Sequence, residues 1–130
     1  VGSLTTAGLA IILAGIVLGH VVLLPYDSTD QVTSGVLIEA LAAGKPVVST
    51  GFPHAVEMLS DGAGIVVAHR DPAAISAALR TLLTEGEVAA QMSRAALATS
   101  QGLAWSSVAQ RYRDLIARLI IVSHATRVAV

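Results

Sequence analysis

Short apolar runs alternate along this chain with segments in which apolar residues recur every three or four positions. The runs are rich in Val, Ile and Leu and cover residues 21–24, 46–49 and 64–68. Continuous runs of this length are typical of strands that are buried on both faces of a sheet. Because helical segments separate and follow them, the pattern predicts an α/β fold, with helices flanking a parallel sheet and a helical C-terminus.

Polar and small residues mark where several of the helices begin and end. Thr33 or Ser34 is suited to cap a helix that runs to about residue 43, and Gly44 follows as a stop. Asp71 ahead of Pro72 predicts the start of the first of three C-terminal helices. In the last of these helices, a stripe at helical spacing predicts a face turned towards the core: Trp105, Val108, Tyr112, Leu115 and Leu119.

The N-terminal part of the chain is apolar and uncharged, since no Lys, Arg, Asp or Glu precedes Asp27. Residues 7–24 form a run about as long as a short transmembrane helix requires. The β-branched pair Val21–Val22 favours a division of this run into a buried helix at residues 7–18 and a core strand at residues 21–24. Two interpretations therefore remain: a helix followed by a strand, or membrane association.

The length of 130 residues suits one domain or a piece of one. We expect an apolar N-terminal segment at residues 1–20, an α/β domain at residues 21–122 and a tail without clear pattern at residues 123–130. The chain has no Cys, which is compatible with a cytoplasmic protein, and membrane association through residues 7–24 is the alternative.

Composition and charge exclude several classes of function. The net charge is −1 and only 13% of the residues are charged, so the basic surface that nucleic-acid binding needs is not expected. Without Cys there is neither a disulfide nor a thiolate metal site. His20, His54, His69 and His124 show no metal-ligand spacing, and we expect neither a metal nor a cofactor.

The segment at residues 31–44 carries the candidate chemistry, because it begins just past a predicted strand, where parallel sheets bind ligands. Thr33, Ser34 and Gly35 open a helix there. Free amides of Ser34, Gly35 and Val36 are suited to a phosphate oxygen, and Gly35 has no Cβ to obstruct a ligand. Ordinary helix capping is the alternative explanation of these residues.

Glu39 and Gln31 supply side chains suited to hydroxyl groups. Glu39 is a lone carboxylate on an apolar helix, so it either faces solvent or accepts from the vicinal hydroxyls of a ribose. Gln31 is either a solvated loop residue or a ligand of a sugar hydroxyl. His54 lies on the same predicted rim and is more typical of a turn cap than of a catalyst. Asp27 and Asp30 are more typical of turns than of a metal site, and we assign no catalytic residue.

Residues 23 to about 119 resemble the C-terminal, donor-binding domain of GT-B fold glycosyltransferases, and the nearest group is family 4, also called group 1. That family carries an E-x7-E motif followed by A-x-A-x-G-x-P-V-V. Here Gln31 replaces the first Glu, Glu39 is the second, and residues 40–48 match the remainder. Further landmarks follow in the family's order: Gly51-Phe52-Pro53 as a loose match to a G-x-P-E turn, Asp61 to Val67, Asp71-Pro72, and Trp105-Ser106.

The resemblance implies a Rossmann-like half of a GT-B fold in a retaining, metal-independent enzyme that transfers a glycosyl group from a nucleotide-sugar to an unknown acceptor. Glu39 would bind the ribose hydroxyls. The backbone around Ser34, Gly35 and Val36, in the loop that Thr33 begins, would hold the nucleoside diphosphate. Gln31 would contact the donor sugar. Its replacement of the family's Glu keeps hydrogen bonding at that position but removes the negative charge.

The acceptor domain of the family, and the Arg and Lys that neutralise its departing diphosphate, have no counterpart among these residues. We therefore expect a fragment that is inactive by itself. A non-catalytic, membrane-attached module of the same fold is the main alternative. A sugar epimerase of related fold is a third, which the Thr33-Ser34-Gly35 loop disfavours. An incomplete sheet also has an edge to cover, which favours self-association.

Overall fold

A computed structural model describes residues 6–8, 10–11, 19–30 and 33–128 of the chain. Residues 6–8 and 10–11 are helical. Gln31 and most of the helix predicted at residues 7–18 lie outside the described residues. Within the described part, no helix combines the length and the apolar character that a membrane span requires.

The sheet consists of three parallel strands in the order of the sequence, β1 (Val22–Leu24), β2 (Val47–Thr50) and β3 (Gly64–Val67). Its register pairs Val22 with Val47, and Val47 in turn with Gly64. Each strand lies within two residues of its predicted position, and the predicted parallel α/β fold is confirmed.

Helices connect the strands and follow them. Their bounds are α1 (Gly35–Ala42), α2 (Pro53–Leu59), α3 (Pro72–Thr84), α4 (Gly86–Leu103) and α5 (Trp105–Val128). The predicted boundary residues act as expected. Ser34 caps α1, Gly44 follows its end with a φ of 65°, and the Asp71 carboxylate accepts from the amide of Ala74, 2.9 Å away, at the start of α3.

Both faces of the sheet are covered, which explains the continuous apolar runs. Neighbouring residues of β2 belong to different core clusters, Val47 to one and Val48 to the other, because side chains alternate across a strand. The first cluster includes Leu37 and Leu41 of α1 with Phe52, and the second includes residues of α3. Full burial of one such Leu or Phe contributes about 1.5–3 kcal/mol.

Gly64 allows β3 to approach β2 closely. A Cβ built on Gly64 would collide with the carbonyl oxygen of Val47 and also approach the Leu59 side chain. The first residue of β3 therefore has to be a glycine for the sheet to keep this spacing.

Residues 101–130 form a second compact unit, separate from the unit of residues 1–100. Within it, Ser107 donates to the carbonyl of Gln101 (2.9 Å) and Arg111 to that of Gly102 (2.9 Å). These bonds fix the turn that leads into α5. The helix continues to Val128, through most of the segment for which the sequence showed no pattern.

The second unit does not bury the apolar stripe of α5 within itself, so its packing against the core stays a prediction. Trp105 is 86% exposed and Tyr112 is 64% exposed, and Leu115 and Leu119 are also more than half exposed. Helical spacing shows that apolar residues share a face, but it does not specify what covers that face.

Candidate functional site

The carboxyl ends of the three strands meet at one edge of the sheet, as expected for the ligand-binding rim of a parallel sheet. β1 leads into Pro25 and Tyr26, β2 into Gly51, and β3 into the segment before Asp71. The helices α1, α2 and α3 all begin on this side. The rim is therefore where the predicted site residues have to come together.

Side chains of β2 extend the hydrogen bonding past the end of β1. The hydroxyl of Thr50 donates to the carbonyl of Tyr26 over 2.6 Å, and the hydroxyl of Ser49 lies 3.3 Å from the carbonyl of Leu24. The Tyr26 ring packs edge-on against Phe52, with 5.2 Å between ring centroids. The start of the loop after β1 is thus fixed by its backbone and by its ring.

Ser34 is the centre of the polar network at the start of α1. It is buried, and its hydroxyl oxygen accepts from the amide of Leu37 (3.2 Å) and lies 3.3 Å from the Tyr26 hydroxyl. Its own amide donates to Nδ1 of His54 over 3.1 Å. The Ser34 amide, which the sequence predicts to be free for a ligand, is therefore already engaged.

The amides of Gly35 and Val36 remain for a ligand. The amide of Leu37 is bonded to the Ser34 hydroxyl and that of Ile38 to the Ser34 carbonyl, whereas no hydrogen bond among the described residues uses those of Gly35 and Val36. A Cβ built on Gly35 would meet no atom within 4 Å. The first turn of α1 thus presents two adjacent unengaged donors, with open space beside Gly35.

Glu39 lies on the same exposed face of α1 as Gly35. The two residues are four positions apart, and side chains on a helix tilt towards its N-terminus, so the Glu39 carboxylate leans towards Gly35. The residue is exposed, whereas Leu37 and Ala40 are buried in the core. No hydrogen bond or ion pair within the described part of the chain engages the carboxylate.

The structure provides little information about two of the predicted site residues. Thr33 is exposed and directly precedes the cap of α1. Gln31 lies outside the described residues, so its role as a sugar ligand stays a prediction.

An ion pair borders the other side of the rim. Arg70, whose φ is 58°, lies with its Nε 3.2 Å from an oxygen of Asp27. The hydrogen bond and the charge of Arg70 hold the pKa of the Asp27 carboxyl below its ordinary value, and both side chains are exposed. A shallow hollow of about 230 Å³ lies here, between Tyr26, Thr50 and Arg70.

His54 was expected on this rim, but its bond to Ser34 and the contribution of Tyr26 were not predicted. Each bonds Ser34 from a distant point in the sequence, eight residues before it and twenty residues after it. The only available signals were that Tyr26 follows a predicted strand and that His54 follows Pro53 at a helix start. Among the described residues no cluster of His, Asp or Glu is suited to a metal ion.

The fold is also found in solved structures, ten chains of which match significantly. One is sucrose-phosphate synthase from Thermosynechococcus elongatus, with a TM-score of 0.67 and 22% sequence identity. The match covers 94% of this chain and 30% of that chain, so the chain spans less than a third of the length of that structure. The similarity confirms the predicted fold, a Rossmann-like half of a GT-B fold with a helical C-terminus.

No curated protein sequence matches the chain significantly. The family of glycosyl transferases group 1 matches residues 16–85, more than half of the chain. This stretch contains all three strands, helices α1 to α3 and the Ser34 network. The chain therefore belongs to the glycosyl transferases group 1 family.

Proposed function

We propose that residues 21–122 are the C-terminal, nucleotide-sugar-binding domain of a family 4 GT-B glycosyltransferase. The first turn of α1 would hold the nucleoside diphosphate of the donor. The observation that carries this proposal is the pair of unengaged amides of Gly35 and Val36, with Glu39 exposed on the same helix face.

The charge distribution at the start of α1 favours an anion. The N-terminus of a helix carries a partial positive charge, and its first amides point outwards. Hydrogen bonds between such amides and a charged oxygen contribute about 1.5–3 kcal/mol each. Two amides side by side, at Gly35 and Val36, suit the oxygens of one phosphate group.

Glu39 would set the direction in which the nucleotide lies. Its carboxylate accepts hydrogen bonds from vicinal hydroxyls, as a ribose offers, and repels phosphate. At about 6 Å in water, two unit charges of like sign repel by about 0.7 kcal/mol, and by more near a protein surface. The ribose is therefore expected over Glu39 and the diphosphate over the amides.

The proposed reaction is the retaining, metal-independent transfer of the donor's glycosyl group to an acceptor that the site does not identify. Gln31 would contact the sugar. The departing diphosphate gains negative charge, which two neutral amides do not compensate, and Arg70 on the described rim is paired with Asp27. We therefore propose that these 130 residues bind the donor and do not transfer the sugar unaided.

Isothermal titration calorimetry with UDP, GDP and ADP tests the binding step. At least one nucleotide should bind, and Glu39→Gln should weaken that binding about tenfold or more, because a carboxylate that accepts from two hydroxyls is lost. Glu85→Gln is the matched control, since it removes the same charge at the C-terminal end of α3, whereas the rim lies at the N-terminal end of that helix. This variant should bind nucleotide as the wild type does.

In an NMR titration with the same nucleotides, the amide chemical shifts of Gly35 and Val36 should change most. If the folded protein binds none of the three nucleotides, the proposal is wrong. The competing proposal, a non-catalytic module attached to a membrane through residues 7–24, predicts no sugar transfer and recovery of the protein in the membrane fraction.

A further inference from the structure

His54 links the start of α2 to the start of α1. It is the second residue of α2, half-buried, and its Nδ1 accepts the hydrogen bond from the Ser34 amide over 3.1 Å. The remaining groups of the network are occupied, because the Ser34 hydroxyl already contacts Leu37 and Tyr26. His54 is thus the acceptor on which the Ser34 amide depends.

We propose that neutral His54 is a positioning residue of the nucleotide site. By accepting from Ser34, it holds the peptide unit between Thr33 and Ser34 in the orientation from which the Gly35 and Val36 amides are directed at the ligand. This inference rests on the function proposed above. It assigns to His54 an action through the backbone of Ser34, without a contact to the reacting sugar.

The bond requires one particular form of the imidazole ring. Nδ1 accepts only when it carries no proton, so the neutral ring holds its proton on Nε2. A second proton on Nδ1 would place one donor against another. Ser34 is only 3% exposed, so water does not readily replace the lost acceptor.

The sign of the pH dependence follows from this requirement. The bond is present while the His54 ring is neutral and is lost when Nδ1 takes up a proton, because a protonated nitrogen cannot accept. The other titratable groups on the neighbouring elements are the Tyr26 phenol, Glu39 of α1, Glu57 one turn along α2, Asp27, which Arg70 engages, and His69, whose Nε2 lies 3.2 Å from the Gly51 carbonyl. Nucleotide affinity should therefore fall as His54 becomes protonated.

Two substitutions separate this role from simple packing. In His54→Asn the amide oxygen lies near the position of Nδ1 and accepts without titrating, whereas in His54→Gln the oxygen lies nearer the position of Nε2. Calorimetry with UDP, GDP and ADP at pH 7.5 and 5.5 compares both variants with the wild type. Circular dichroism at each pH establishes that the proteins are folded.

The wild type should bind its preferred nucleotide at least fivefold more weakly at pH 5.5 than at pH 7.5. This change is measured relative to that of His54→Asn, whose remaining pH dependence reports protonation of the nucleotide and of other groups. His54→Asn should stay within about twofold of the wild type at pH 7.5, and His54→Gln should bind weakly at both values. In NMR spectra recorded without nucleotide, the amide signal of Ser34 should shift together with the ring signals of His54 as the pH falls.

Equal affinities of the three proteins at both pH values would overturn the role of His54 and leave the proposed function intact. A Ser34 amide that does not follow the His54 titration would likewise overturn it. Absence of nucleotide binding by the wild type at either pH would instead refute the proposed function, and this inference with it.

Discussion

Gly35→Ala separates the stability of the first turn of α1 from its proposed function. Gly35 is the first residue of the helix, and a methyl group added there would meet no heavy atom within 4 Å. Its φ is not in the left-handed region that disfavours alanine. The variant should therefore fold as the wild type does.

We expect the variant to be more stable than the wild type and to bind nucleotide more weakly. Replacing Gly by Ala at a compatible position stabilises a protein by about 0.4–1 kcal/mol, mainly by restricting the unfolded chain. For a domain of this size, that corresponds to a rise in Tm of about 2–5 °C. The methyl group would occupy the space from which a phosphate oxygen approaches the Gly35 and Val36 amides. Loss of one such bond, about 1.5–3 kcal/mol, weakens nucleotide binding about tenfold to a hundredfold.

Thermal unfolding and calorimetry on the same protein sample measure both effects. Gly86→Ala is the matched control, because Gly86 is also the first residue of its helix and has open space around it. That control should gain stability and bind nucleotide like the wild type. Wild-type affinity in Gly35→Ala would refute the reasoning, because it would mean that no ligand approaches the backbone at Gly35.

Three further substitutions test the framework that holds the site. Gly64→Ala should lower the free energy of unfolding by at least about 1–3 kcal/mol in urea titrations, because its methyl group collides with the Val47 carbonyl; an unchanged midpoint would contradict the close strand spacing. Asp71→Ala should cost about 1 kcal/mol in the same titrations through loss of the α3 cap, and a neutral effect would show that the cap is dispensable. Asp27→Asn removes the partner of Arg70. Because Arg70 lowers the pKa of the Asp27 carboxyl, the ion pair stabilises the fold above the ordinary pKa of Asp, and this stabilisation is lost as the pH falls through the lowered pKa. Because both groups are exposed, thermal scans should show a small, salt-sensitive difference in Tm at pH 7. The difference should vanish in acid below the lowered pKa of Asp27, and a difference that persists there would point to another cause.

Features that depend on neighbouring residues could be predicted from the sequence. The cap at Asp71 before Pro72 and the stop at Gly44 each act within one helical turn, so the local residue types determine them. The strands were equally accessible, because burial on both faces requires continuous apolar runs. The parallel topology then places the strand ends, where we propose the site, at one edge of the sheet.

Features that depend on distant residues were not accessible in this way. The bond from Ser34 to His54 joins residues twenty positions apart, so neither residue carries a local signal for it. The same limitation applies to Trp105 and Tyr112. Their spacing correctly indicated a helix, and their burial depended on a covering surface that spacing does not encode.

The attachment of Tyr26 has a consequence for the entropy of binding. Its carbonyl accepts from Thr50, its ring packs on Phe52, and its hydroxyl lies next to that of Ser34. A segment that is already ordered on three sides loses little further conformational freedom when a ligand arrives, and this loss is a main cost of binding. This end of the rim is therefore preorganised, so contacts made here should contribute to affinity with little offset from ordering the backbone.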